Sequence, residues 1–375
     1  MRITGGVNLW DIVAILSFLA FIIAIIGTGV STFKRKSFRK KWLAVAGVAF
    51  VLFIVGVANA PPGENIQPPQ TVAEKQEEIS LPPETADDEE VAQQGTSGQL
   101  KAHFLDVGQG DSILIQFPNG QTMLIDAGTS EAGGAVVSYL KKEGINKINY
   151  LVATHPHADH IGGMAAVVHA LAVERVYMPR VSHTTKSFEN LLATIKTKGL
   201  KINKAEAGVT IINQDGIKAG FMAPCSLGYD NLNNYSAVVK VQYGSTAFLL
   251  TGDAESVSEQ EMIASGANLK ADVLKIGHHG SKSSTTKGFL SSVSPKYAVI
   301  SCGRGNSYGH PHQETLDRLK KAGVQVYRTD AQGTVIITSD GKTLTIKTLS
   351  STQKVRAPDT NSKSISDSIK HAYVK

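Results

Sequence analysis

The chain has 375 residues, 42% of them hydrophobic and 19% charged, which is too long for one small domain and too apolar to be disordered throughout. Two cysteines, Cys225 and Cys302, and thirteen prolines exclude a disulfide-stapled mini-protein, a Cys-rich zinc finger and a collagen-like fibre. Any metal must be held by histidines and carboxylates. The formal net charge of +6 is uneven: residues 1–60 carry seven basic and one acidic side chain, residues 61–98 one and nine, and residues 99–375 thirty and twenty-two.

The first part reads as membrane-bound. Ile12 to Val30 and Trp42 to Ala60 are each nineteen residues without a charge, long enough to cross about 30 Å of hydrocarbon at about 1.5 Å per residue. A buried hairpin in a soluble fold is the alternative, but uncharged runs of this length are rare in such folds. Between them, Lys34 to Lys41 holds six cations in eight residues, and a short basic loop is retained in the cytoplasm. The pattern predicts a two-pass anchor in the cell membrane over 1–60, with the rest of the chain outside the cytoplasm. Val57-Ala58-Asn59-Ala60 also reads as a signal-peptidase site, but Pro61 and the preceding hydrophobic run favour an uncleaved anchor. From Pro61 to Ser97, six prolines and nine acids with few large apolar residues describe a solvated, self-repelling spacer. It extends over 61–99, ahead of a folded domain over 100–350 and a polar Ser/Lys-rich tail over 351–375 that frays.

In the third part, β-type runs come first: Ala102 to Val107, Ser112 to Phe117 and Thr122 to Asp126, the last two joined by the turn signal Pro118-Asn119-Gly120. Helical patterns at Ala132 to Lys142, Gly162 to Ala172, Lys186 to Lys198, Ser256 to Ser265 and Gln313 to Lys321 then alternate with apolar runs. Those runs are Tyr150 to Thr154, Ala237 to Tyr243, Ala247 to Thr251, Val273 to Ile276, Tyr297 to Ser301 and Thr334 to Thr338. This is an α/β domain with layered sheets.

His155-Pro156-His157-Ala158-Asp159-His160 follows an apolar strand and precedes Ile161-Gly162-Gly163, which opens a helix. Just past a strand, alternation lets His155 and His157 face one way while Asp159 and His160 turn toward a second position. Imidazole and carboxylate together suit zinc, with manganese or iron as substitutes. Other candidates end other apolar strands, where α/β sheets collect their sites: Asp126 after Met123-Leu124-Ile125, Asp253 after Leu249-Leu250-Thr251-Gly252, and His278-His279 after Leu274-Lys275-Ile276-Gly277. Taken singly, each is more often a strand-end cap than a ligand; beside the His motif the balance reverses.

With these residues the chain resembles the metallo-β-lactamase superfamily, and within it the branch of ComEC-type hydrolase domains associated with competence and DNA uptake. The resemblance rests on Phe104 to Ser112, the HxHxDH run, Asn233 to Val239, Leu250 to Asp253, Leu274 to Ser284 and Tyr308 to His312, over about residues 100–345. It implies an αββα sandwich with two divalent metal ions, zinc first and manganese next. His155 and His157 would hold the first ion, Asp159 and His160 the second, with Asp253 bridging and His279, in preference to His278, completing the set. The superfamily's usual third histidine for the first ion would fall near Asn233 to Ser236 and is missing, as in the ComEC-type branch, so the first ion is expected to bind more weakly.

Two such ions make a water nucleophilic at neutral pH and polarise a phosphoryl oxygen. Asp126 is expected to orient ligands or the nucleophile, His278 to face substrate, and His310 to protonate or stabilise the leaving group. Lys282, Ser283, Ser284 and Asn234 are the expected substrate contacts. Asp106-Val107-Gly108-Gln109-Gly110-Asp111 is a tight turn without the GxxxxGK[ST] of a phosphate-binding loop, and Asp106 or Asp111 is placed to buttress the metals. Cys225 and Cys302 are expected to be unpaired.

The reading that follows is a membrane-anchored, extracytoplasmic metal-dependent hydrolase, a phosphodiesterase or nuclease acting on DNA through a metal-activated water. The excess of eight positive charges over residues 99–375 agrees with a polyanionic partner. A cell-envelope phosphodiesterase acting on choline-decorated teichoic acid is the second enzymatic reading, and a non-catalytic DNA-binding relative the third. β-Lactam hydrolysis is disfavoured by the missing histidine and the His278-His279 pair. Two apolar runs are too few for a DNA-conducting channel.

Overall fold

Strand residues of the computed structural model alternate between two apolar layers, which explains why so many strands are buried on both faces. The structure describes residues 98–349. The two uncharged runs, the acidic spacer and the tail lie outside the described residues, and among the described residues no helix is long and apolar enough to cross a membrane.

In chain order the first half comprises β1 (Leu100–Phe104), β2 (Ile113–Gln116), β3 (Thr122–Ile125), α1 (Gly133–Lys142), β4 (Lys147–Val152), α2 (Ala158–Ile161), α3 (Met164–Ala170), β5 (Ala172–Met178), α4 (Lys186–Thr197) and β6 (Ile202–Lys204). The second half comprises β7 (Thr210–Gln214), β8 (Ile217–Ala223), β9 (Val238–Tyr243), β10 (Thr246–Leu250), α5 (Ser256–Ala264), β11 (Val273–Lys275), α6 (Lys287–Val293), β12 (Tyr297–Ile300), α7 (Gln313–Lys321), β13 (Gln325–Arg328), α8 (Thr329–Gln332), β14 (Thr334–Ser339) and β15 (Leu344–Leu349). One sheet runs β15-β14-β1-β2-β3-β4-β5-β6, the other β13-β12-β11-β10-β9-β8-β7.

Period-two alternation assigns each strand's side chains. Ile113 and Ile115 of β2, Met123 and Ile125 of β3, Val239 and Val241 of β9, and Phe248 and Leu250 of β10 share one core with Phe104 and Phe221, so the two sheets face each other there. Leu114, Leu124 and Leu151 point the other way, onto Val136, Leu140, Met164 and Leu191 of the first-half helices. Leu249 and Leu274 do the same in the second half, against Met262, Phe289 and Leu319. The layers are therefore helix, sheet, sheet, helix. Fully burying a side chain such as Phe248, at 0% exposure, stabilises by roughly 1.5–3 kcal/mol.

Several strands escape the sequence reading, among them β5, whose Glu174 and Arg175 interrupt the apolar pattern, and β6, which is exposed throughout. The helical pattern expected over Gly162 to Ala172 ends at Ala170, because Ala172 already starts β5.

What positions the site is strand polarity. β3 and β4 are parallel, with Ile125 opposite Val152; β10, β11 and β12 are parallel, with Leu250 opposite Lys275 and Lys275 opposite Val299. Their carboxyl ends therefore release Asp126, Thr154-His155, Asp253, Gly277-His278-His279 and Ser301 on one rim, where open α/β sheets place their ligands. The backbone bond from Ala237 N to Thr154 O (2.8 Å) ties the two sheets together beside it.

Candidate metal centre

Four buried side chains offer one ligand atom each within 4.8 Å of one another: Asp111, His160, Asp253 and His279. Around them the distances sort the candidates. His160 Nδ1 donates to Asp126 Oδ2 at 2.7 Å, which leaves Nε2 3.2 Å from Asp253 Oδ1 and 3.9 Å from Asp159 Oδ2. His279 Nδ1 donates to Ser301 O at 2.9 Å, and its Nε2 lies 3.3 Å from Asp159 Oδ2 and 3.5 Å from Asp253 Oδ2. His155 Nε2 is 3.0 Å from His157 Nδ1 and 3.8 Å from Asp253 Oδ2. Asp253 thus faces both groups.

The donor set fits divalent ions. His160 Nε2, His279 Nε2 and Asp253 Oδ1 are buried without a hydrogen-bond partner, and orphaned atoms of this kind are costly unless something else satisfies them. Three orphans converging from α2 and from the loops after β10 and β11, with a second imidazole pair beside them, are what ligands held for a cation look like. His155 and His157, with Asp253, would hold one ion; Asp159, His160 and His279, with Asp253, the other.

Electrostatics agree with a cluster of close charges. Burial alone would depress His160, but the carboxylates of Asp253, Asp126 and Asp159 outweigh it and hold the imidazole well above its ordinary value. His279 is likewise pushed up to about 9 against its burial, by Asp253, Asp111 and Asp159. His155 has fewer acidic neighbours, and burial together with His160 drives it well below the ordinary value. Asp253 resists its burial through His160 and His279 and lies well below the usual carboxylate range.

Asp111, one of the two aspartates expected to buttress the metals, sits against the Nδ1 side of His279 at 3.4 Å and is paired with the fully buried Lys275 at 2.7 Å. Its reach into the site depends on Gly110, whose φ is +138° and where a Cβ would lie 2.2 Å from Asp159 O. Only glycine lets this turn rest on the HxHxDH loop. Asp106, in contrast, bonds its own turn and β14.

Asp126 accepts from Thr154 N (2.8 Å), Thr154 Oγ1 (2.6 Å) and His160, and it is fully buried; it orients a ligand and does not reach the opening. Asp126, His278 and His279 all adopt left-handed backbone, with φ of 57°, 45° and 53°. Such strain in non-glycine residues clusters at functional sites.

The two adjacent histidines have different surroundings. His279 is 1% exposed and aimed at the cluster, while His278 is half-open, with Nδ1 2.7 Å from Glu255 Oε1 and Nε2 3.8 Å from Asp253 Oδ2. His310 lies beside both, its ring 5.3 Å from that of His278 and 6.1 Å from that of His279, and its Nδ1 is buried and unpartnered.

Of the four expected substrate contacts, Lys282 is exposed and Ser283 partly exposed. Ser284 and Asn234 are turned inward instead. Ser284 Oγ donates to Gly277 O at 2.6 Å, and Asn234 Oδ1 accepts from Glu255 N and Ser258 N at 3.3 Å, capping the start of α5. Both support the loop, through the Ser284 hydroxyl and the Asn234 side-chain carbonyl, which are committed to backbone inside the fold.

Sequence reasoning missed Glu255, which gathers His278, Ser283 and Asn233 on Oε1 and Asn231 on Oε2. Those hydrogen bonds offset its burial and hold its carboxyl below the usual range. It also missed Ser236, whose Oγ accepts from Asp253 N at 3.0 Å and lies 3.5 Å from His155 Nδ1, and Lys275. A lysine inside the apolar run Val273 to Ile276 was a usable signal, since such residues are almost never buried without a partner. His183 is a further omission, its ring 6.2 Å from that of His157.

The profile of the Metallo-beta-lactamase superfamily matches residues 105–304, and the chain belongs to that superfamily, with a potential binuclear site formed by the Asp/His cluster. Within it, the chain is similar to ComE operon protein 3 of Bacillus subtilis (strain 168), 32% identical over 256 residues, 64% of this chain and 33% of that protein. It is also similar to Recombination protein 2 of Haemophilus influenzae, 34% identical over 236 residues, 62% of this chain and 28% of that protein. A third relative is Competence protein ComA of Neisseria gonorrhoeae, 31% identical over 237 residues, 61% of this chain and 30% of that protein. The chain therefore spans about a third of the length of these ComEC-type competence relatives.

Proposed function

We propose that the chain is a metal-dependent phosphodiesterase that hydrolyses DNA, anchored in a membrane through residues 1–60 with its hydrolase domain outside the cytoplasm. The observation that carries the reading is the convergence of His160 Nε2, His279 Nε2 and Asp253 Oδ1, orphaned and buried, next to the His155–His157 pair. The names of the relatives, competence and recombination proteins, support DNA as the substrate. The positive balance of residues 99–375 is in keeping with a polyanion.

Divalent ions bound there supply a Lewis acid and a water that loses its proton near neutral pH. The chain's own groups do the rest. Asp126 and Ser301 fix the rings of His160 and His279, so their Nε2 atoms stay aimed. Glu255 accepts the Nδ1 proton of His278 and keeps that ring at the rim of the cluster. His310, beside His278 and His279, would contact a phosphate oxygen or donate to the leaving oxygen, and Lys282 would neutralise a flanking phosphate.

The test is hydrolysis of bis(4-nitrophenyl) phosphate, single-stranded DNA and glycerophosphocholine by the purified full-length protein, before and after chelation and re-addition of zinc or manganese. Metal-dependent cleavage of the first two supports the reading. Release of choline phosphate without DNA cleavage would establish the envelope phosphodiesterase instead, and DNA binding without any cleavage would leave a binding protein. In the same assay His310→Ala should lower turnover about 10²–10³-fold with metal content intact; a normal rate would make His310 a structural loop residue.

A further inference from the structure

Ile202, Leu227, Val257, Ile263 and Tyr308 are exposed large apolar side chains of the described residues, and Tyr308, at 65%, is the most exposed and the aromatic one. It also lies next to a histidine of the candidate site. Its ring stacks on His310 at 5.7 Å between centroids and 20° between planes, and the His310 ring lies 6.1 Å from that of His279.

The segment carrying Tyr308 is fixed by one side chain. Asn306 Oδ1 accepts from Tyr308 N (3.2 Å) and His310 N (3.0 Å), while Asn306 Nδ2 donates to Gly303 O (2.9 Å) and His310 O (2.6 Å). A loop built this firmly holds an aromatic ring with one face on a site histidine and most of its surface in solvent. A single exposed apolar side chain is ordinary on a protein surface, but one stacked on a site histidine and held by a fixed loop offers its open face to a ligand at that site.

We propose that Tyr308 is the stacking platform for a nucleobase next to the scissile phosphate, and that His310 and Tyr308 form one subsite, the first for the phosphate and the second for the base. The proposal rests on the nuclease reading above and names the residue that holds the strand beside the reacting bond. Every base has a π-face, so stacking holds a strand without selecting its sequence. Tyr308 is one ring away from His310, which is itself one ring away from His279, so a base on Tyr308 belongs to a nucleotide that borders the site. Lys282, exposed on the neighbouring loop and joined to it through Lys282 N donating to His312 Nδ1 at 3.0 Å, supplies a cation for the backbone beyond.

A quaternary ammonium group, as in a choline ester, is the other ligand an open tyrosine face attracts, so the experiment includes both. The full-length protein with its metals would be assayed on a short single-stranded oligonucleotide, on the same strand with abasic residues flanking the cleaved position, and on glycerophosphocholine. The wild-type protein should prefer the base-bearing strand by about 5- to 150-fold in kcat/KM, which is about 1–3 kcal/mol at 1.4 kcal/mol per tenfold. In Tyr308→Ala that ratio should fall to near one, mainly through KM, and Tyr308→Phe should restore it. Metal content serves as the folding control.

A wild-type ratio near one, or one that persists in Tyr308→Ala, would overturn the stacking subsite while leaving the nuclease reading in place. Cleavage of neither strand, with bis(4-nitrophenyl) phosphate still hydrolysed, would remove the nuclease reading and the subsite together. Loss of glycerophosphocholine hydrolysis alone in Tyr308→Ala would assign the ring to a cation and overturn the base.

Discussion

The two groups of candidate ligands sit side by side yet are built differently. His160 and His279 are buried to 1% exposure or less, and each ring is clamped through Nδ1, by Asp126 in one case and by the Ser301 carbonyl in the other. His155 and His157 have no carboxylate or carbonyl on their outer nitrogens; His155 Nδ1 meets the hydroxyls of Thr154 and Ser236, and His157 is partly exposed. A ligand's grip depends on the groups that fix its ring as well as on the ring itself. The first group is therefore preformed and the second is the adjustable side of the centre, where Ser236 stands in the region in which the superfamily resemblance anticipates a third imidazole.

The largest effect that would break this contrast is at the shared residue. Asp253→Ala should abolish binding at both positions, since Asp253 Oδ1 faces His160 and Oδ2 faces His155 and His279. Elemental analysis of the purified variant checks this, and one ion retained would show that the groups are independent. Next, Asp126→Asn should weaken the better-braced position by about 10–100-fold, the usual size for a lost carboxylate behind a ligating histidine, while sparing the His155–His157 position. Metal titration followed by calorimetry would resolve the two steps, and equal weakening of both would erase the distinction.

The smallest effect uses a histidine outside the centre. His103 is buried between Tyr139 Oη (2.8 Å) and Gln116 Oε1 (2.9 Å), so burial lowers its pKa, opposite to His160 among carboxylates. Below about pH 6.5 the unfolded chain then binds the proton that folded His103 refuses, so stability falls as pH drops through that value toward the folded pKa. Thermal melts of wild type and His103→Gln between pH 7 and 5 should show a shallower loss in the variant. Identical slopes would mean that the hydrogen-bond partners, and not burial, set this histidine's proton affinity.

How much of this was legible depends on chain distance. His155, His157, Asp159 and His160 could be read directly because one strand end and the first turn of α2 fix their spacing. Asp253 and the His278-His279 pair were legible as polar endings of apolar strands. Glu255 was not, because nothing near it in sequence indicates that His278, Ser283 and Asn231 converge on its carboxylate. That Asn234 and Ser284, expected as substrate contacts, also brace backbone was illegible for the same reason: whether a polar side chain caps a helix or faces a cleft is decided by backbone that arrives from elsewhere. In the fold, β5 and β6 were lost where charged residues on a sheet edge dilute the strand pattern, whereas α7 follows its predicted range of Gln313 to Lys321 because it is amphipathic and begins just after His312.

The pairing of β1 with β14, Leu100 opposite Ser339, also sets a schedule. β1 pairs early with β2, but its second partner comes more than two hundred residues later, and contacts of such long range slow folding. At about 5–20 residues per second of synthesis, the HxHxDH segment emerges on the order of ten seconds before His279. During most of that interval the nascent chain displays only part of the candidate ligand set, with neither Asp253 nor His279, so the complete set can be assembled only after most of the domain has been translated.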